Sequence, residues 1–458
     1  MKKIAVSCLA LTLIACGETP PPADETSPAA NPAAPSSAAT AGSANGSEAI
    51  IRDIDEIARD YVSVALAFGE FDPDYVDAYT GPEDWKESAL SAGRTLDQLF
   101  TEAAGLSADL ALTTPPQDEV RRAKILQGNL QAMIARMRMV RGETLSFNDE
   151  TALIYDAVVP EIDPAIFDAA LAELDEILPG DGSIAERREA LQAKLEVPED
   201  KIEEMIRVAI AECRKRTQAY YDLPEDESFT LELVRDKPWS GYNWYQGDYE
   251  SLIQINLDQP FRVDRALDLG CHEGYPGHHV WNIYTERYLL KENNWIEYYV
   301  FPLFSPGAFF AEGSANYGVD VAFPGSQKKD FERDVLYPIA DIDPALAEID
   351  SVVAEASRQL QFVTVYVARN YLDGNFTRDE AIDVLQKYRL VSRERAEQSL
   401  DFIEKYRGYV INYSHGYNLV KAYIEARAET EAERWAIFED MLRNPKTASD
   451  LVLPESDG

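Results

Sequence analysis

A mainly helical α+β body, long enough for one large two-lobed domain or two domains, is the fold class this sequence predicts. A small β-sheet should stand just ahead of a histidine-bearing helix. Three observations predict it. Apolar residues recur at three- and four-residue intervals along most of the chain. One interval, from about Glu225 to Leu257, switches to the two-residue alternation of strands. Prolines, glycines and capping residues stand where helices should start and stop.

The chain opens with Met1-Lys2-Lys3, an apolar run from Ile4 to Ala15, and then Cys16. A short basic start and a brief apolar run describe a secretory signal, too short to span a membrane. Leu13-Ile14-Ala15-Cys16 resembles the lipobox of bacterial lipoproteins, in which cleavage after residue 15 leaves Cys16 as an acylated N-terminus. The plainer alternative is an ordinary signal peptide with a chance cysteine. Residue 17 is Gly, not the Asp that resembles an inner-membrane retention mark in Gram-negative lipoproteins. The expectation is therefore a lipid-anchored envelope protein on the periplasmic side of the outer membrane. Residues 16–46 are dominated by Pro, Ala, Ser, Thr and Gly, which bury too little surface to offset their ordering entropy. They read as a disordered tether. No later stretch is apolar for long enough to cross a bilayer, so the lipid would be the one membrane contact.

The body is expected over residues 47–445, with 446–458 as a tail. Ser47 can cap a first helix whose apolar residues are Ile50, Ile54, Ile57, Tyr61 and Val64. A long helical pattern from about Gln117 to Arg141 stops at Gly142. Asp163-Pro164 opens another helix, and Pro198 opens one that reaches about Tyr221 and carries Cys213. Strand-like runs follow at Phe229–Val234, Tyr242–Tyr245 and Ser251–Leu257. Helical periodicity resumes near Val263. Capping boxes are visible at Thr377 with Glu380 and at Thr430 with Glu433. The last helix places Trp435, Phe438, Met441 and Leu442 on one face.

A net charge of −38 excludes a nucleic-acid partner, which needs basic patches. The acidic residues are scattered through amphipathic helices, as a solvated surface requires. Of four cysteines, Cys8 would leave with the signal and Cys16 would carry lipid. Cys213 and Cys271 are then either a disulfide, which the envelope permits, or two buried thiols; the second is read for Cys271.

The chain has four histidines, and three lie in His272-Glu273-Gly274-Tyr275-Pro276-Gly277-His278-His279; the fourth is His415. A catalytic zinc takes neutral imidazoles and a carboxylate, and a carboxylate off the metal serves as general base. His272 followed by Glu273 supplies a ligand and a base in adjacent places, as the zinc-peptidase HExxH helix does. Position 276 is Pro where that pattern has its second histidine. Pro276 breaks the helical hydrogen bond to the His272 carbonyl, and Gly277 frees the backbone. A turn widened by two residues brings His278 to the ligand position, and one widened by three brings His279. His278 is the expected ligand and His279 the alternative.

His-Glu-x-x-Pro-Gly-His-His resembles the signature of a bacterial family of unknown function, DUF885, grouped with gluzincin-like metallopeptidases. The resemblance implies a zincin-like helical body. It also implies a third zinc ligand in a Glu-Gly-Trp segment some forty residues on. Ala311-Glu312-Gly313-Ser314 occupies that place, with Ser314 where Trp is usual, so Glu312 is the implied ligand. Its apolar surroundings agree, because an unpaired carboxylate among Phe309, Phe310 and Ala311 is costly. Near the C-terminus the family often shows Pro-Gly-Gln followed by Tyr, whereas this chain has Tyr413-Ser414-His415-Gly416-Tyr417. His415 and Tyr417 are taken as candidate stabilisers of an oxyanion beside the metal.

The expected function is zinc-dependent hydrolysis of peptides, with Glu273 as base. The alternatives are another amide or ester hydrolase and a non-catalytic peptide-binding lipoprotein. A strand edge beside the zinc site would hold an extended peptide.

Overall fold

The computed structural model describes residues 52–237 and 239–453. The signal, Cys16, the tether and Ser47 lie outside these residues. The first described helix, Ile54–Phe68, begins at Asp53, whose carboxylate accepts the Asp55 amide at 3.0 Å. That cap lies later than Ser47, while Ile54, Ile57, Tyr61 and Val64 are buried as their spacing requires.

The expected helices follow. Val120–Val140 ends ahead of Gly142, which takes φ +93°. Ala165–Ile177 begins after Pro164, with Asp163 accepting the Ala165 amide, and Glu199–Gln218 begins after Pro198. The boxes at Thr377 with Glu380 and Thr430 with Glu433 are both closed reciprocally. Trp435, Phe438, Met441 and Leu442 are buried together on Glu431–Arg443. A short final helix, Ala448–Leu451, buries Ala448 and Leu451, so the packed chain runs past Pro445 into the segment expected as a tail.

Among the described residues five strands form two small sheets. β1 (Val76–Tyr79) pairs antiparallel with β5 (Val300–Pro302). The expected insertion is β2 (Ser228–Val234), β3 (Gly241–Gly247) and β4 (Glu250–Asn256), ordered β2-β4-β3. β4 is central: it runs parallel to β2 and antiparallel to β3, and it buries Ser251, Ile253 and Ile255 on one face. β3 is left as an edge.

The fold is thus mainly helical, with little sheet. The described residues pack as one compact unit. At its centre runs the helix Pro306–Ala322, capped by Ser305 with Pro306 in its first turn and apolar on nearly every side. No helix among the described residues is long and apolar enough to cross a membrane.

Cys213 and Cys271 are joined as a disulfide, their Cα atoms 5.5 Å apart. The two-thiol reading of Cys271 is thereby corrected. Its side chain reaches the neighbouring helix Glu199–Gln218, whose Cys213 is buried at that contact.

Candidate metal centre

The helix Asp264–Leu269 widens into a π-helical turn at Gly270–Gly274 and then stops. Tyr275 is extended, the Tyr275–Pro276 peptide is cis, and a new helix starts at His278 and runs to Tyr284. The break is therefore larger than one widened turn. It is tight as well. A Cβ on Gly277 would lie 1.9 Å from the His272 carbonyl oxygen, so no other residue fits there.

Across this break the His272 and His278 rings meet edge to face, with centroids 4.6 Å apart. Glu312 reaches both from the central helix. Its Oε2 lies 3.6 Å from His272 Nε2 and its Oε1 3.6 Å from His278 Nε2. One ligand atom from each of the three residues falls within 4.8 Å of the others. Tetrahedral zinc ligated at about 2.0–2.1 Å needs donor atoms roughly 3.3–3.4 Å apart, so the spacing is close to what such an ion requires.

The central helix gets near enough because two glycines meet. A Cβ on Gly313 would come 2.6 Å from the Gly416 backbone, so Pro306–Ala322 and the π turn Asn412–Gly416 touch main chain to main chain. Glu312 lies at that crossing. Its Oε1 accepts the Tyr409 hydroxyl at 3.0 Å. Its Oε2 is buried with no hydrogen-bond donor, a state a carboxylate oxygen pays for heavily unless a cation faces it.

The electrostatics agree with a cation site. Burial lowers the His272 pKa to about 4, with the Arg265 charge adding and Asn316 opposing. Burial also holds His278 well below its ordinary value, with His272 adding. Both imidazoles are thus neutral, as metal ligands must be. Burial raises Glu312 to about 7, and burial together with the Glu312 charge raises Glu273 to about 8. Two carboxylates and two bare imidazoles in one apolar corner are a donor set that lacks its positive charge.

His279, the alternative ligand, is turned the other way. Its Nε2 meets Glu227 Oε2 at 3.0 Å and its Nδ1 meets Ser251 Oγ at 2.7 Å. Tyr275 donates to the same Glu227 oxygen, and Arg214 faces the other at 2.5 Å. An ionised carboxylate only accepts, so Nε2–H donates to it, and Nδ1 shares the second hydrogen bond with Ser251 Oγ. Neither ring nitrogen is left for a metal.

Glu273 lies on the wall of a cleft of about 1170 Å³ that also exposes His272, His278 and Glu312. β3 crosses over it: a Cβ on Gly241 would meet Glu273 Oε1 at 2.8 Å, and Asn243 Nδ2 donates to the Glu273 carbonyl at 2.7 Å. His415 is not brought to the cleft. Its ring sits 6.0 Å from that of Phe309, and burial, with the Arg369 charge adding, lowers its pKa to about 4. The Gly313–Gly416 crossing fixes this turn, and the turn directs His415 into packing. Tyr417 does line the cleft, but its hydroxyl is engaged by Asp320 at 2.5 Å. The hydroxyls nearer the triad belong to Tyr409, on Glu312, and to Tyr242, which donates to Asp77 of β1 at 2.5 Å. In a chain with 24 tyrosines, nothing in the sequence singles these two out.

No family model matches this chain, and no curated protein matches it. Solved structures do. One is a candidate lipoprotein from Colwellia psychrerythraea, 15% identical with a TM-score of 0.48, over 78% of this chain and 68% of that one. A second is a candidate lipoprotein of unknown function from Shewanella oneidensis, 13% identical with a TM-score of 0.45, over 86% and 81%. A third is the M32 carboxypeptidase of Deinococcus radiodurans R1, 13% identical with a TM-score of 0.38, over 85% and 88%. At these identities and scores the chemistry of the site stands on its own residues.

Proposed function

We propose that this chain is a zinc-dependent peptidase, with His272, His278 and Glu312 as ligands and Glu273 as general base. The observation that carries the reading is the Glu312 carboxylate, whose buried Oε2 has no hydrogen-bond donor and faces His272 Nε2 while its Oε1 faces His278 Nε2, both imidazoles being neutral. A zinc ion bound there would supply Lewis-acid chemistry, polarising a carbonyl and acidifying a water. Glu273 stands beside the triad without belonging to it, positioned to take a proton from that water and return it to a leaving amine. A carboxyl group whose pKa lies near the working pH suits both transfers, and burial moves Glu273 in that direction. Tyr409, whose hydroxyl already sits on Glu312 Oε1 in the cleft, is the candidate to steady an oxyanion.

The cleft supports an extended substrate. β3 is an edge strand and its residues Gly241–Tyr245 line the cavity, so its free backbone groups can pair with a peptide laid beside them. Residues 1–51 lie outside the described structure, and the lipid anchor rests on the signal-and-cysteine reading of the sequence. Cys16→Ser should move the protein from the membrane fraction to the soluble one; an unchanged distribution would end the anchoring proposal.

The test of function uses the zinc-loaded protein with parallel panels of peptides and esters. Glu273→Gln should keep one zinc per chain by elemental analysis while peptide hydrolysis falls about 10²- to 10⁴-fold. Undiminished turnover would remove Glu273 as base. Hydrolysis of esters alone would replace the peptidase reading.

A further inference from the structure

Four lysine and arginine side chains line the cleft: Arg265, Lys328, Lys329 and Arg358. Three are neutralised by carboxylates, Lys328 by Asp268 at 2.8 Å, Lys329 by Glu348 at 2.7 Å and Arg358 by Glu355 at 2.6 Å. Arg265 differs. Among the described residues no carboxylate oxygen lies within 4 Å of its guanidinium. The nearest candidates in sequence are taken, Asp264 by Arg262 at 3.3 Å and Asp268 by Lys328. Arg265 makes one side-chain hydrogen bond, to the exposed Ser240 Oγ at 3.0 Å. An arginine carries five donors in a fork that fits one carboxylate. In a chain of net charge −38, an arginine left in this condition on a cavity wall is waiting for an anion from outside.

Its place says which anion. Arg265 precedes His272 by seven residues on the continuous helical run Asp264–Gly274. Both residues line the cleft, and the seven residues between them advance the run by roughly 10 Å along its axis. The Arg265 charge is felt at both His272 and Glu273. An extended peptide advances about 3.3–3.6 Å per residue, so one or two residues plus the reach of an arginine side chain bridge that gap.

We infer that Arg265 receives the free C-terminal carboxylate of the substrate, so that the cleft belongs to an exopeptidase releasing one or two residues from a C-terminus. The inference rests on the peptidase reading and specifies it. The reaction is hydrolysis: the C–N bond breaks, water gives its hydroxyl to the acyl carbon, and its proton passes by way of Glu273 to the departing amine. A side-chain carboxylate of Asp or Glu offers the same chemistry, and the test separates the two sources.

Zinc-loaded wild type, Arg265→Ala and Arg265→Lys are given one peptide as its free acid and as its C-terminal amide, plus an amide carrying Glu near the end. Products are followed by mass spectrometry. Wild type should favour the acid by about 10- to 100-fold in kcat/KM, the span expected of a charge-assisted pair. The Ala variant should lose that preference chiefly through KM for the acid, and Lys should restore part of it. Equal cleavage of acid and amide, or a preference that survives Ala, overturns the proposal. So does cleavage that follows the internal Glu. A second readout is calorimetric binding of acid and amide to Glu273→Gln, with and without Arg265→Ala. If wild type cleaves no peptide yet the acid still binds selectively through Arg265, the peptidase reading falls and the carboxylate site stands. If neither cleavage nor selective binding is found, both fall.

Discussion

His278 and His279 are consecutive residues at the start of one helix, and the difference between them separates a ligand from a brace. Around His279 both ring nitrogens meet partners: Ser251 and Glu227 hold them, and Tyr275 and Arg214 in turn face Glu227, in a network that ties the helix to β4 and to the turn before β2. Around His278 the partners are the His272 ring and Glu312 Oε1, while the other oxygen of that carboxylate, facing His272, has no donor. Both corners hold imidazole and carboxylate, and both are buried. What distinguishes them is where the imidazole nitrogens go: both of His279's are taken by hydrogen bonds, whereas Nε2 of His278 and of His272 converge on one carboxylate.

Replacing the two histidines in turn gives the strongest way to break this contrast. His278→Ala should take zinc content towards zero and hydrolysis with it. His279→Ala should keep the zinc and instead lower stability by about 2–4 kcal/mol, because Glu227 stays buried with one partner fewer. Elemental analysis and denaturant unfolding read the two effects, and zinc loss in His279→Ala alone would reverse the assignment.

Stability against pH gives a smaller effect but a difference of sign. Without metal, Glu312 and Glu273 have folded pKa values near 7 and 8, raised by burial above the ordinary 4.5. The folded state holds their protons more tightly, so their contribution is complete below about pH 4.5 and is lost as pH rises to 8. Glu227 is the reverse. Burial pushes it up, but His279 and Tyr275 outweigh burial and hold it below its ordinary value, so its contribution is lost on acidification. The rise in Tm on adding zinc should therefore be larger at pH 8 than at pH 5. A zinc effect that is flat or inverted with pH would show that the two carboxylates are not where the ion acts.

Local order was legible in the sequence because local spacing dictates it. The caps at Thr377 and Thr430, the prolines at 164 and 198, and the three strands ahead of His272 all announce themselves within a few residues. The histidine cluster was legible for a similar reason, since few other residue types crowd together for metal chemistry. What was not legible depended on contacts across the chain. Tyr409 and Glu312 are 97 residues apart, and nothing near Tyr409 marks it. The Cys213–Cys271 bond depends on two helices packing side by side. His415 looked functional because histidine is scarce here, yet the turn that holds it is set by the Gly313–Gly416 crossing, whose constraint is steric and carries no chemical label. Arg265 was hidden because an arginine draws notice only once its neighbours prove to be spoken for.

The cysteine bridge has a bearing on when such a protein becomes competent. Cys271 adjoins His272, so a covalent tie to the helix Glu199–Gln218 fastens the backbone that presents the first imidazole. Bonds of this kind form after export and seldom persist in a reducing cytosol. Wherever thiols are kept reduced, the chain would hold that imidazole without its anchor until the bond forms.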